Sequence, residues 1–174
     1  VQWGTGVELS GDMHDQRDPP AILGPSGSVF VVWCDQRAEG VSGGDIYAQR
    51  INQFGNTEWG IGGLLICNAT NVQAYPQLTS DDAGGLIITW RDSRQFAVTG
   101  VDIFAQRVSG TGAMQWAANG VPVCTAYGNQ MDPAIVSDGA GGAIIAWMDE
   151  RDPATGSNVC FQRVNAAGQV QWAP

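Results

Sequence analysis

Three arginines stand where a symmetric anion receptor would need them. Arg37, Arg94 and Arg151 lie 57 residues apart, each closing a Trp-x-Asp-x-Arg motif. The motif reads Trp33-Cys34-Asp35-Gln36-Arg37, Trp90-Arg91-Asp92-Ser93-Arg94 and Trp147-Met148-Asp149-Glu150-Arg151. A guanidinium presents a planar fork of donors that matches a carboxylate at two points. A ring of such forks around an axis would grip the carboxylates of acidic sugars. The motif also carries its own carboxylate. Asp35, Asp92 and Asp149 each precede the arginine by two residues, and in an extended segment that spacing puts both side chains on one side of the strand. The internal reading pairs Asp with Arg to hold a loop in shape, with Trp33, Trp90 and Trp147 as structural members of the repeat.

Other catalytic or metal-binding patterns are thin. The lone His14 sits in a polar connecting segment, flanked by Asp12, Asp15 and Asp18. Those acids offer oxygen ligands of the kind calcium takes, but the equivalent segments Asn68–Tyr75 and Thr125–Asp132 lack the set. There is no G-x-S-x-G elbow and no phosphate-binding glycine loop. Tyr47 falls at a repeated place that Phe104 also fills, so it reads as packing. The carboxylate pair of a glycoside hydrolase cannot be singled out, because every strong aspartate is shared between repeats. No catalytic residue, cofactor or metal ion is assigned. The four cysteines, Cys34, Cys67, Cys124 and Cys160, come without a C-x-x-C. Cys67 and Cys124 occupy equivalent places on successive units, farther apart than a disulfide spans. They read as small buried residues, with a bond between chains left open.

What must position these residues is the repeat itself. Gln16, Gln73 and Gln130 keep the same step, as do Pro19, Pro76 and Pro133. Asp45-Ile46-Tyr47-Ala48-Gln49-Arg50 recurs as Asp102–Arg107 and, more loosely, as Asn158–Arg163. Trp59, Trp116 and Trp172 close each unit. A fixed period of 56–57 residues marks a stacked or radial array of one supersecondary unit. In the third unit a β-prone run, Ala134–Ser137, meets a turn, Asp138–Gly142. Ala143–Met148 follows, apolar on both faces as a strand covered on both sides should be. After a loop come Val159–Val164, another turn, and Val170-Gln171-Trp172, which begins a fourth strand; in the earlier repeats this segment continues through a glycine to Leu64–Cys67 or Val121–Cys124. The prediction is an all-β chain of three four-stranded antiparallel propeller-type blades. It forms a single repeat domain over 1–174, with repeats of approximately 4–59, 60–116 and 117–172. A three-fold β-trefoil is the alternative.

The pattern P-x-I-x-S-D-x-x-G-G-x-I-I-x-W-x-D-x-R, then D-I-Y-A-Q-R-V-N-x-x-G and Q-W, resembles repeats of large secreted bacterial proteins. That family is held to form propellers distantly related to the sialidases. The match runs through Pro76–Trp116 and Pro133–Trp172, and more weakly through Pro19–Trp59. The resemblance implies a secreted or cell-surface bacterial product engaged in adhesion or glycan contact. The sialidase Asp-box itself, S-x-D-x-G-x-x-W, is not cleanly present.

Composition narrows the partners. Net charge is −9, and all eight basic residues are arginine. Six of them sit at repeat-locked places, so the basic charge is structural. A nucleic-acid partner needs a basic surface and is not expected, and no apolar run reaches the length of a membrane span. Three blades leave open sheet edges, which invite pairing with another chain. The chain starts with Val1-Gln2-Trp3 and stops with Val170-Gln171-Trp172, the same phase of the repeat. Val7–Ser10 would serve as an added strand for a neighbouring copy, giving a homo-oligomer or polymer; a piece of a longer propeller is the other reading. The functional expectation is an extracellular, non-enzymatic repeat protein that self-assembles and presents loops, Ala38–Gly44, Gln95–Val101 and Asp152–Ser157, to a ligand such as a glycan. A filament or surface-layer subunit is the alternative, and a propeller glycosidase or lyase the third.

Overall fold

A computed structural model describes residues 6–11, 13–38 and 43–172. They form three antiparallel sheets. The first contains β1 (Gln16–Arg17), β2 (Ala21–Leu23), β3 (Val29–Asp35), β4 (Asp45–Ile51) and β5 (Leu64–Cys67). The second contains β6 (Gln73–Ser80), β7 (Leu86–Asp92), β8 (Asp102–Val108) and β9 (Val121–Cys124). The third contains β10 (Gln130–Ser137), β11 (Ala143–Asp149) and β12 (Asn158–Val164). Strands follow chain order within each sheet, with β1 and β2 both paired to β3 as two halves of one broken strand. Each repeat builds its own sheet, so the expected all-β array forms and the trefoil does not.

The strand boundaries refine the expectation. Val170 makes only an isolated bridge to Val164, as Thr57 does to Ile51 and Met114 to Val108. Fourth strands begin later, at Leu64 and Val121. The third sheet therefore has three strands among the described residues. The terminal segment Val1-Gln2-Trp3 lies outside them.

The hairpins follow from their turn residues. Asp81 Oδ1 accepts from the backbone N–H of Ala83 (2.9 Å) and Gly85 (2.6 Å). Asp138 repeats this with Ala140 (2.8 Å) and Gly142 (2.9 Å). The turn is an aspartate looping back on its own backbone. Its other oxygen takes an arginine from the third strand: Arg107 Nε to Asp81 Oδ2 at 3.1 Å, Arg163 Nε to Asp138 Oδ2 at 2.8 Å. In the first sheet Gly24 stands in place of that aspartate, and Arg50 pairs instead with Glu58 (3.1 Å).

The core lies between sheets. β7 is buried on both faces: Leu86, Ile88 and Trp90 pack towards the first sheet, and Ile87 towards the third. Fully burying an aromatic removes about 200 Å² from water, which at about 25 cal/mol per Å² contributes about 5 kcal/mol for Trp90. The closing tryptophans fasten each sheet to the next. Trp59 Nε1 donates to Gly110 O (3.3 Å) and Trp116 Nε1 to Ala166 O (3.0 Å). The first strands face the preceding sheet, β6 against β3 and β2 and β10 against β6 and β7, while β5 and β9 form the opposite edges of their sheets.

Candidate functional site

The motif arginines are fastened to their aspartates. Arg94 Nε and Nη2 clasp Asp92 at 2.8 and 2.6 Å, and Arg151 clasps Asp149 at the same distances. Arg37 Nη2 lies 2.6 Å from Asp35. Each aspartate also takes the indole N–H of its tryptophan: Trp33 and Trp90 at 2.8 Å, Trp147 at 2.7 Å. At Asp35 and Asp149 burial alone would raise the carboxyl, but the Arg and Trp hydrogen bonds outweigh it. They hold Asp35 below the usual range and Asp149 down to about 2. Arg37 and Arg94 reach on to the carbonyls of Gly62 (2.9 Å) and Asn119 (2.8 Å), at the entrance to the fourth strand. Their guanidinium planes cover Tyr47 (4.0 Å) and Phe104 (3.8 Å). The clasp thus ties the end of the second strand to the third and fourth.

In the third sheet the clasp is barer. Cys160 stands opposite Trp147 where Tyr47 and Phe104 face their tryptophans. The Arg151 side chain is 42% exposed, against 21% for Arg37 and 18% for Arg94. It borders an open groove of about 530 Å³ with Cys124, Phe161 and Trp172. Cys67 and Cys34 are shielded differently: burial pushes their thiols up to about 12 and about 11, which keeps them protonated and unreactive.

A second constellation was not legible as a site in the sequence. Asp18, Tyr75 and Asp132 occupy one repeat position and all have left-handed backbone, φ 54°, 53° and 50°. They sit in bulges of the first strands: the β6 register shifts between Ala74 and Gln77, and the β10 register between Met131 and Ala134. Such bulges re-aim side chains and cluster at binding sites. Tyr75 is 48% exposed. The Arg91 guanidinium lies 3.9 Å from the centre of its ring and pairs with Asp132 of the next sheet. The sequence signal was a repeat-locked place, just before the shared proline, where Tyr75 replaces the aspartate of the other two repeats.

The bulges and the loop after β7 share one end of the array. Ser93 N donates to Val72 O (2.9 Å), Gln130 N to Val101 O (2.7 Å), and Glu150 N to Asn129 O (2.8 Å). Phe96 on that loop and Tyr127 on the lead into β10 are exposed. Asn71, Val72, Ser93 and Phe96 border a hollow of about 460 Å³. The loop Gln95–Val101 therefore lies beside the first-strand bulges. Asp152–Ser157 follows β11 and is exposed throughout. Residues 39–42 of the first expected loop lie outside the described residues, as does Asp12 of the calcium set. Among the described residues no cluster of three His, Cys, Asp or Glu forms a metal site. The exposed Tyr75 ring thus offers apolar area beside the paired charges of Arg91 and Asp132.

No family model matches the chain, and no curated protein matches it in sequence. Solved structures do. A protein of unknown function from Dyadobacter fermentans superposes with a TM-score of 0.62 at 10% identity, over 94% of this chain and 55% of that one. An endo-arabinase from Bacteroides thetaiotaomicron gives 0.54 at 17% identity, over 84% and 55%. An α-L-arabinofuranosidase from Lactobacillus brevis gives 0.54 at 10% identity, over 97% and 59%. The fold is therefore part of a β-propeller, and the chain spans 55–59% of the length of these three structures.

Proposed function

We propose that this chain is a carbohydrate-recognition segment of a β-propeller that binds glycan on the end carrying the first-strand bulges. The observation that carries the reading is Tyr75: an exposed ring held in a bulge, backed by Arg91 and bordered by Asp132 of the next sheet. Aromatic faces with a few convergent polar groups on a rigid rim are the makeup of a small-ligand site. The arabinan-directed enzymes among the structural neighbours make arabino-oligosaccharides the first probe. The motif arginines enter this reading as the framework of the rim, with Arg151, the most open of them, as the candidate contact for an acidic sugar.

The test is calorimetric titration with arabino-oligosaccharides and with uronic-acid oligosaccharides. Binding lost in Tyr75→Ala, with unfolding unchanged, supports the reading. Absence of binding to both probes, or equal binding by the variant, overturns it. A release of reducing ends from arabinan would move the reading to hydrolysis.

One observation favours self-assembly as a second reading. Among the described residues no named strand pairs with the outer edge of β12, which is met only near its end by Val170 and Gln171, and Val159 and Phe161 stand exposed. A further strand fits this edge, from a second copy of the chain. Light scattering tests it: a dimer or polymer supports it and a monomer refutes it.

A further inference from the structure

Where the second sheet meets the third, two buried oxygens lack a donor. Asp102 opens β8 and Gln130 opens β10, and both are 0% exposed. Their strand starts are tied together, because Gln130 N donates to Val101 O at 2.7 Å. The Gln130 amide has only one orientation open to it. Its Nε2 donates to the carbonyls of Ala126 (3.3 Å) and Gly128 (3.1 Å), so Oε1 must face the other way. That Oε1 receives no hydrogen bond, and neither does Asp102 Oδ1. Asp102 Oδ2 is already satisfied by Thr99 Oγ1 at 3.0 Å. Buried acceptors without donors are costly and rare in native proteins. Turning the amide would set its oxygen against two carbonyls, which removes one deficit and creates two.

We propose that Asp102 is kept as a neutral carboxylic acid whose Oδ1–H donates to Gln130 Oε1, so that a shared proton closes the junction between the second and third sheets. One proton satisfies both orphan oxygens. The charges around Asp102 agree. Asp92 of β7 stands directly opposite it in the register and is equally buried. The neighbouring cation, Arg94, is clasped to Asp92 at 2.6 Å. Thr99, which donates to the other oxygen of Asp102, is uncharged. Two buried carboxylates beside one committed guanidinium leave the second without a counter-charge. Burial is the main influence raising the Asp102 carboxyl above its usual range, and Asp92 adds to it, against the Thr99 hydrogen bond and Arg94. In the third sheet the place opposite Asp149 is held by Asn158, exposed and donating to Thr155 Oγ1 and the Gly156 carbonyl, so no second carboxyl stands there.

The inference goes beyond the carbohydrate reading and stands or falls without it. Its test is equilibrium unfolding of the wild type and Asp102→Asn across about pH 4 to 8, spanning the ordinary carboxyl range and above. A carboxyl raised in the folded state stabilises most below its unfolded value. That contribution is lost as pH rises through the folded value. The wild-type folding constant should therefore fall relative to the variant by up to about tenfold per pH unit in that window, then level off. Parallel curves would overturn the proposal, because Asp102 would then be ionised throughout. Carbon-13 NMR of the wild-type Asp102 carboxyl decides the matter even where the variant fails to fold. A resonance still protonated about 1 pH unit above the ordinary value supports it, and one already ionised there refutes it.

Discussion

Trp116 of the second sheet donates its indole N–H to the Ala166 carbonyl of the third at 3.0 Å. The ring then lies over Gly168, where an added Cβ would meet Trp116 Cγ at 2.9 Å, and where φ is +81°. The glycine of the repeat is thus demanded by the tryptophan of the preceding sheet. Gly168→Ala should cost about 1–3 kcal/mol from backbone strain, before any displacement of the ring. Urea unfolding measures it; Gly139→Ala, in open space at φ +72°, controls for the conformational part.

Removing the aspartate of a clasp leaves a guanidinium without its counter-charge. Asp92→Ala should destabilise by about 3–5 kcal/mol, the range for breaking a buried pair. Asp149→Ala should cost clearly less, because water reaches the more exposed Arg151. Thermal unfolding of the two variants checks the order, and equal losses would contradict it.

Acid acts on the same groups in the opposite sense to Asp102. Asp149 is held down to about 2, from an ordinary 3.8. A carboxyl lowered in the folded state stabilises above its unfolded value, and that stability is lost as pH falls towards the folded value. Wild type should weaken between about pH 4 and 2. Asp149→Asn should lose less over that interval, measured by circular dichroism against pH.

The exposed clasp can be repaired. Cys160→Phe places a ring opposite Trp147, where Phe104 stands in the second sheet. An Arg151 cation–π contact should raise stability by about 0.5–1 kcal/mol. An unchanged unfolding midpoint would show that the ring does not reach the guanidinium.

The period of 57 made much of this legible. It located Trp90, Asp92 and Arg94 as one unit, and the two-residue spacing led to their pairing. The Asp138–Gly142 turn and the doubly apolar Ala143–Met148 strand were also readable, because turn chemistry and burial are local signals. The fourth strands, Leu64–Cys67 and Val121–Cys124, lie where the fourth segment was read to continue past its glycine. The segment at Trp172 was read as a strand start, whereas its equivalents Trp59 and Trp116 are fasteners that cross to the next sheet, and pattern within one repeat cannot show that. The bulges at Asp18, Tyr75 and Asp132 were hidden for a similar reason. A left-handed residue before proline leaves no mark on hydrophobic alternation. The Asp102–Gln130 junction involves two places in step with the repeat whose chemistry appears only when neighbouring sheets are set side by side.

The tryptophan fasteners have a bearing on how the molecule melts. Each sheet completes its hydrogen bonding through the one that follows, so stability is a chain of nearest-neighbour couplings rather than a property of any single unit. Loosening the third sheet releases Trp116, which in turn weakens the second. Unfolding should advance inward from the third sheet, with amide exchange slowest in β7, the strand covered from both sides.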